Sequence, residues 1–220
     1  DKVLAAMKAS LDAKETSYTG NSGMMELREA ISHHFEQRYG VHYDPKDEIL
    51  VTVGVSEGLA MALLAITEPG DEVIIPDPAY VAYPASVELA GGTPVFVPTG
   101  YPNNPTGTVM SAEELMPIAK FAEEHDLIVL SDEIYCELMY GDAKFTSFAK
   151  LPGMRERTVI FNGFSKAYAM TGMRLGYVCA PREGLAPILK LHQYAIMCAN
   201  TTAQVGGITA LKECDDDVEA

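Results

Sequence analysis

The sequence predicts an α/β fold in three layers, with a mostly parallel central sheet covered by helices on both faces. Short β-rich runs alternate with amphipathic stretches along the 220 residues, and such alternation is typical of strand–helix–strand units. The predicted strands are continuously apolar, as expected where a sheet is buried on both faces. Two of the helical stretches are closed by turn-forming pairs, Pro69-Gly70 and Gly91-Gly92, which separate one element from the next.

The order of elements follows from these patterns. Strands are predicted over 49–53, 72–76, 94–98, 127–133, 158–162 and 175–180, and helices over 56–66, 80–90, 111–124, 185–197 and 201–213. Ser111, with Glu114 three residues later, forms a capping box that marks the start of the third of these helices.

Composition and charge exclude several classes of protein. The chain has 16 Lys and Arg against 31 Asp and Glu, a net charge of −15, which argues against a nucleic-acid binder. No apolar run reaches the roughly 18 residues of a membrane span, and the N-terminus lacks the pattern of a signal peptide. None of the four cysteines forms a C-x-x-C pair. We therefore expect reduced and buried thiols, no metal site and a cytoplasmic protein.

Polar residues collect where the predicted strands end. Ser56-Glu57 follow the first strand, Asp132 lies at the end of the fourth, and Ser165-Lys166 follow the fifth. Because ligands of such sheets bind at the carboxyl ends of the strands, we expect these residues to share one site. Lys166 stands in an apolar segment, so the site is expected to hold a lysine in apolar surroundings.

Six segments, taken in order, resemble the class I/II aminotransferases of the aspartate aminotransferase family, which are fold-type-I pyridoxal-phosphate enzymes. They are SYTGNSGMMELREAI, VTVGVSEGLAMAL, PDPAYVAY, YPNNPTG, LSDEIY and NGFSKAYAMTGMRLGY. A single NPTG motif would be weak evidence for this resemblance. The motifs NPTG, SDEIY, and SK followed by TGxRxG, in this order, are specific to the family. The resemblance implies pyridoxal 5'-phosphate as cofactor, with an amino acid and a 2-oxo acid as substrates.

On this resemblance Lys166 is the lysine that forms a Schiff base with the cofactor aldehyde and then moves the substrate proton. An imine needs a neutral amine, and apolar surroundings favour the neutral form of a lysine. Asp132 is the partner of the pyridine nitrogen, where a carboxylate keeps the ring protonated; it could also cap a helix from Glu133 to Leu138.

The remaining site residues are also implied by the resemblance. Tyr135 and Asn104 would donate hydrogen bonds to the cofactor's phenolic oxygen, and Asn104 precedes a proline whose peptide bond is a candidate for cis. Tyr80 would stack on the pyridine ring. Tyr18 would reach the phosphate of the neighbouring subunit in a homodimer.

Four residues of the same chain are assigned to the phosphate. Arg174 would hold it through its guanidinium, and Ser56 and Glu57 would present backbone N–H groups at a helix start. The Glu57 carboxylate is expected to point away, because its charge would repel the phosphate. The family often has serine three residues before the lysine, where this chain has Gly163, so Ser165 is expected to take over part of that role.

The chain departs from the family at two junctions. Only Thr99-Gly100 separate the third strand from Tyr101, too few for the dozen or so residues of a parallel crossover, so a segment near 99–101 is expected to be missing. On the resemblance, the arginine that grips the substrate carboxylate belongs to a small domain, and we expect no counterpart of it among these 220 residues. We expect an N-terminal helical segment over 1–48, a cofactor-binding large domain over 49–200, and over 201–220 the connection to a small domain.

Other functions fit the same residues. A carbon–sulfur lyase or another fold-type-I enzyme would use the same Lys166 and Asp132. Another alternative is a non-enzymatic regulatory module that binds the cofactor. A plain dinucleotide-binding domain is disfavoured, because no G-x-G-x-x-G follows the first strand.

Overall fold

The structure, a computed structural model, describes residues 1–98 and 107–219. Its strands are Ile49–Thr52 (β1), Glu72–Asp77 (β2), Thr93–Pro98 (β3), Val129–Asp132 (β4), Thr158–Gly163 (β5) and Gly176–Cys179 (β6). Its α-helices are Lys2–Asp12 (α1), Met25–Tyr39 (α2), Val55–Ile66 (α3), Ala82–Leu89 (α4), Ala112–Glu124 (α5), Arg182–Ala195 (α6), Thr201–Glu213 (α7) and Asp215–Glu219 (α8). All six predicted strands are present, and the predicted helix over 201–213 has the bounds of α7.

The strands form a four-stranded sheet in the order β1-β6-β5-β4 and a separate pair, β2-β3. β4 and β5 are parallel, as are β2 and β3, whereas β6 runs antiparallel to both β1 and β5. Thus β1, β4 and β5 point in one direction and β6 in the other. The α/β class is confirmed; the reversed β6 was not foreseen, because hydrophobic patterns do not encode strand direction.

Alternating residues of the four-stranded sheet pack on opposite layers of helices. On one face Val51 and Ile160 join a core cluster with Leu27 and Phe35 of α2. On the other face Phe161 and its neighbours pack against α3 and α6. Because successive side chains of a strand point to opposite faces, this alternation produces the predicted three layers.

Local sequence signals set several helix ends. The Ser111 side chain accepts a hydrogen bond from the Glu114 N–H, and the Glu114 carboxylate accepts one from the Ser111 N–H, so the predicted capping box is present. α2 ends at Gly40, which adopts the left-handed conformation typical of helix C-termini. In the described part of the chain no helix is long and apolar enough to cross a membrane.

The junction at which the sequence predicts a missing segment follows β3 in the sequence. Residues 99–106, including Asn104 and the Asn104-Pro105 bond, are outside the described residues; the cis bond that the structure describes joins Asp77 and Pro78. The division into segments 1–48, 49–200 and 201–220 stays a prediction. In the structure Ala203 and Leu211 of α7 share a core cluster with Leu27 of α2.

Candidate active site

A cavity of about 540 Å³ opens at the carboxyl ends of β1, β4 and β5, a volume within the usual range for small-molecule sites. Its walls include apolar side chains of β2, β4 and α3, such as Ile75, Leu130 and Leu59. The residues predicted to be functional that line it are Ser56, Tyr80, Asp132, Tyr135, Ser165, Lys166 and Arg174. Segments distant in sequence therefore meet where the strand order predicted a site.

One part of the cavity, here called the arginine end, is lined by Ser56 and Arg174, with Gly54 packed against the Arg174 guanidinium. Ser56 lies in the first turn of α3, and Gly54, with φ 78°, is the N-cap. The Arg174 guanidinium packs directly over Gly54, since a Cβ placed there would lie 2.5 Å from Nη2. The first N–H groups of a helix have no intrahelical acceptor. With the guanidinium beside them they form a site suited to an anion.

Close backbone packing shapes the arginine end. Gly163 of β5 is paired with Gly176 of β6, and a Cβ on Gly163 would lie 2.8 Å from the Gly176 Cα. A Cβ on Gly176 would lie 2.7 Å from the backbone of Gly54 and Val55. The glycine at the position where the family often has serine therefore fits the close approach of these two strands.

Glu57 does not line the cavity. Its Oε2 accepts a hydrogen bond of 3.1 Å from the Val53 N–H, and its Oε1 lies 3.0 Å from Nδ1 of His192 on α6. The carboxylate is thus engaged behind the first turn of α3. That the backbone at Glu57 contacts a phosphate stays a prediction.

A second part of the cavity, the aspartate end, is formed by Asp132, Tyr83 and Tyr135. The Tyr83 hydroxyl donates a hydrogen bond of 2.8 Å to Oδ2 of Asp132, and the Ile134 N–H donates one of 3.2 Å to Oδ1. Burial raises the pKa of Asp132, and these two hydrogen bonds oppose the shift. The Ile134 bond is a local contact of the capping kind, but the residues after Asp132 form turns and not the helix that the capping alternative required.

Tyr83 is a residue that sequence reasoning missed. It lies in α4, and its ring packs edge-on against Tyr80 with centroids 5.6 Å apart. Burial, followed by the Asp132 charge, raises the pKa of its hydroxyl above the ordinary value, so it acts as a donor. The spacing of three residues from Tyr80, near a helix start, was the available signal, because such residues lie on one side of a helix.

The prediction that Lys166 lies in apolar surroundings is wrong for this chain. Its neighbour Phe164 is fully buried, but Lys166 itself is exposed, because its side chain leaves the end of β5 toward the cavity instead of the core. Its ammonium lies 5.3 Å from the centre of the Tyr135 ring, a distance at which a cation and an aromatic face attract.

A buried polar network supports the turn that carries Tyr135. Nε2 of His34 lies 3.0 Å from the Glu137 carboxylate, and the Tyr39 hydroxyl donates to the same carboxylate. Burial disfavours the charged form of Glu137, but the hydrogen bonds from His34 and Tyr39 contribute to a net lowering of its pKa. Nothing in the sequence pattern indicated this network, because its members come from α2 and from the turn after β4.

Glu133, next to Asp132, is also buried. Its Oε1 accepts hydrogen bonds from Ser131, Ser147 and the Phe148 N–H. Burial nevertheless raises its pKa to about 7. Glu133 faces away from the cavity and ties the turn after β4 to the segment that begins at Ser147.

Tyr18 lies outside the cavity and is 80% exposed. Its predicted contact with a neighbouring subunit stays a prediction. Within residues 1–98 and 107–219 no group of three or more His, Cys, Asp or Glu side chains could hold a metal ion.

Known proteins match this chain over most of its length. It is 50% identical to YugH of Bacillus subtilis, over 96% of this chain and 61% of that protein. It is 41% identical to an aspartate aminotransferase of Pyrococcus abyssi, over 94% of this chain and 60% of the relative. The crystal structure of an aromatic aminotransferase from Pyrococcus horikoshii superposes with a TM-score of 0.94 at 41% identity, covering 99% of this chain and 66% of that one.

The chain spans about 60% of the length of these curated relatives. The family model described as "Aminotransferase class I and II" matches residues 1–101 and 96–217. The two matches overlap at residues 96–101, next to the junction where a segment is predicted to be missing. The chain belongs to the class I and II aminotransferase family.

Proposed function

We propose that this chain binds pyridoxal 5'-phosphate through Lys166 and carries the cofactor side of an aminotransferase site. The reaction moves an amino group from an amino acid, aspartate or a similar one, to a 2-oxo acid in two successive halves. The observation that supports the proposal is that Lys166, Asp132 and Arg174 line one cavity. Members of this family generally depend on pyridoxal phosphate.

The residues present fit this cofactor. At the arginine end, the Arg174 guanidinium and the start of α3 suit a phosphate, and the hydroxyls of Ser56 and Ser165 are further donors on the cavity wall. At the aspartate end, Asp132 suits a protonated ring nitrogen. Tyr80, which is 40% exposed, presents a ring for stacking. Asn104 is proposed, with Tyr135, as a donor to the phenolic oxygen.

Bound pyridoxal phosphate supplies an electron sink for the bond-breaking step at the substrate Cα. The chain's own residues then have separate tasks. Lys166 would hold the cofactor through its amine, and the same amine would take up and return a proton at the substrate Cα. Asp132 would hold a negative charge beside the protonated ring nitrogen, and Tyr135, which lines the cavity beside Lys166, would donate to the phenolic oxygen.

Substrate and assembly belong to the same proposal. Relatives of similar identity carry the names of an aspartate, an aromatic-amino-acid and a probable N-acetyl-LL-diaminopimelate aminotransferase. Aspartate or a similar amino acid is therefore proposed as the donor, from the family resemblance. We further propose a homodimer in which the exposed Tyr18 completes the phosphate site of the other subunit.

The central experiment locates the cofactor. Purified protein is incubated with pyridoxal phosphate, reduced with borohydride and mapped by peptide mass spectrometry. The pyridoxyl mark is expected on Lys166 and is expected to vanish in Lys166→Ala but not in Lys190→Ala, an exposed lysine of α6. A mark on another lysine, or none on the wild type, would contradict the proposal.

The reaction type is tested by a half-reaction with aspartate. Transamination leaves the cofactor in its amino form and releases a 2-oxo acid in equal amount. A carbon–sulfur lyase instead releases pyruvate and ammonia from a cysteine conjugate and regenerates the original cofactor. Absence of both products, with the mark on Lys166, would favour a binding module.

The homodimer is tested by mixing subunits. Lys166→Ala and Tyr18→Ala chains are mixed after partial unfolding and refolding. If Tyr18 acts across the interface, a mixed dimer has one site free of both changes and regains part of the cofactor binding. A monomer in sedimentation would contradict the assembly without affecting the assignment of Lys166.

A further inference from the structure

A buried histidine–glutamate pair lies behind the arginine end of the cavity. Nδ1 of His192 is 3.0 Å from Oε1 of Glu57. The His192 side chain is fully buried, and that of Glu57 is 10% exposed. Burial of an ionisable pair is costly unless both partners are well satisfied, so the pair calls for an explanation beyond packing.

Glu57 ties three pieces of backbone to one carboxylate. It belongs to the first turn of α3, its Oε2 accepts from the Val53 N–H at 3.1 Å, and its Oε1 faces α6 through His192. Val53 is the residue before Gly54, the N-cap over which the Arg174 guanidinium lies. The Thr52 hydroxyl, which donates 2.9 Å to the Gly54 carbonyl, fixes the same turn from the other side.

Of the two ring nitrogens of His192, Nδ1 makes the hydrogen bond to Glu57. Nε2 is buried and has no hydrogen-bond partner among the described residues. The Glu57 carboxylate accepts from Nδ1–H, so this contact is what holds the imidazole. If the side chain at this position served only to fill the space between α3 and α6, an apolar side chain would be equally suitable. The Nδ1–H of His192 therefore acts by holding the Glu57 carboxylate in place.

We propose that His192 is a positioning residue that, through Glu57, holds the first turn of α3 so that its N–H groups face the phosphate of pyridoxal phosphate. The inference rests on the proposed function. His192 touches neither cofactor nor substrate. Its effect is confined to the arginine end, because the Glu57 carboxylate contacts Val53 and α6 and does not contact Asp132 or Lys166.

The test compares pyridoxal phosphate with pyridoxal, which has the same aldehyde and ring but no phosphate. The dissociation constants of both are measured by absorbance for wild type, His192→Asn and His192→Gln. The amide nitrogen of asparagine lies near the position of Nδ1 and can donate to Glu57, whereas that of glutamine lies near Nε2. The two variants therefore differ in the one contact that the proposal requires.

The expected result is a change in the ratio of the two constants. His192→Gln weakens pyridoxal phosphate about tenfold and changes pyridoxal less than about twofold, because only the helix–phosphate interaction is lost. His192→Asn stays within about threefold of wild type for both. Glu57→Gln leaves one acceptor oxygen for the two donors, the Val53 N–H and His192 Nδ1–H, so it shifts the ratio in the same direction as His192→Gln and serves if that variant does not fold.

A matched control is the other buried pair, His34–Glu137, also separated by 3.0 Å. There Nε2 makes the contact, so His34→Asn breaks it and is expected to weaken both ligands alike. An unchanged ratio in His192→Gln and Glu57→Gln, or an equal shift of the ratio in His34→Asn, would overturn the inference. Failure of wild type to carry the mark on Lys166 would instead overturn the proposed function.

Discussion

The arginine end and the aspartate end of the cavity are built in different ways. At the arginine end the shape is set by close backbone packing. Gly54, Gly163 and Gly176 allow β5, β6 and the start of α3 to approach so closely that no Cβ fits between them. At the aspartate end the backbone is ordinary, and side chains from separate elements converge, with Tyr83 of α4 donating to Asp132 at the end of β4.

The two ends also have different supports. Glu57 and His192 connect α3 to α6 behind the first, and Glu137 and His34 connect the turn after β4 to α2 behind the second. A site assembled from backbone is sensitive to the size of residues and insensitive to pH. A site assembled from buried carboxylates and hydroxyls is expected to respond to pH, and the predictions below test this contrast.

The largest effect is expected from Asp132→Ala. The variant should still take up cofactor, because the arginine end and Lys166 remain, but its transamination half-reaction should slow by about 1,000-fold, or about 4 kcal/mol, without the charge at the ring nitrogen. Single-turnover absorbance measurements with aspartate give the rate.

Asp132→Asn separates charge from packing in that experiment. Asparagine can keep the hydrogen bonds with Tyr83 and the Ile134 N–H but carries no charge, so it should be about as slow as alanine. A normal rate in either variant would show that the role assigned to Asp132 is incorrect.

The backbone-built end is tested by Gly176→Ala. The new Cβ would lie 2.7 Å from backbone atoms of Gly54 and Val55, which cannot rotate away as a side chain could. We expect a loss of about 3 kcal/mol in the free energy of unfolding, measured by urea denaturation. Gly172→Ala is the control, because a Cβ there meets nothing within 4 Å, and a similar loss in both variants would contradict the close packing.

The sequence indicated residues at the ends of elements but not the partners that meet only in the folded chain, for a physical reason. A glycine, a helix start and an arginine after a turn are local signals, and local signals place Ser56 and Arg174 at strand ends. Partners that meet only in the folded chain give no local signal at either end: Tyr83 and Asp132 are separated by 49 residues and Glu57 and His192 by 135. Such pairs are set by the way the helices pack, which periodicity does not determine.

Residue types alone also misjudged the surroundings of Lys166. Phe164, Ala167 and Tyr168 are apolar neighbours in sequence, yet the lysine is exposed while Phe164 is buried. Beyond the end of a strand, adjacent residues no longer alternate regularly between two faces, so sequence neighbours stop indicating burial. The class of fold, the strands and the capping box at Ser111 are by contrast fixed by patterns within a few residues.

The pH response of the turn after β4, which carries Tyr135 of the aspartate end, is tested by Glu133→Gln. Burial raises the pKa of Glu133 from 4.5 to about 7, so the folded protein binds the proton more tightly than the unfolded chain. Stability is therefore highest where the carboxyl is protonated in both states and falls as pH rises from about 4.5 to about 7.

Between pH 5 and pH 8 the wild type should lose about 2 kcal/mol more of its free energy of unfolding than Glu133→Gln does. Glutamine can still accept from Ser131 and Ser147 and does not ionise. Urea denaturation at the two pH values gives the difference, and parallel losses in both proteins would show that Glu133 does not titrate in this range.

The smallest effect is expected from Tyr83→Phe, and it bears most directly on how the aspartate end is tuned. The Tyr83 hydroxyl is the 2.8 Å donor that opposes the raised pKa of Asp132, so its removal should raise that pKa further. Asp132 would then be ionised over a narrower range, and the pH midpoint of the cofactor absorbance should move upward, with a loss of about 1 kcal/mol in the Asp132 interaction. Tyr80→Phe keeps the same ring packing without touching that hydrogen bond and should leave the midpoint in place. An equal shift in both variants would mean that the rings, rather than the hydroxyl on Asp132, set the protonation of this end of the cavity.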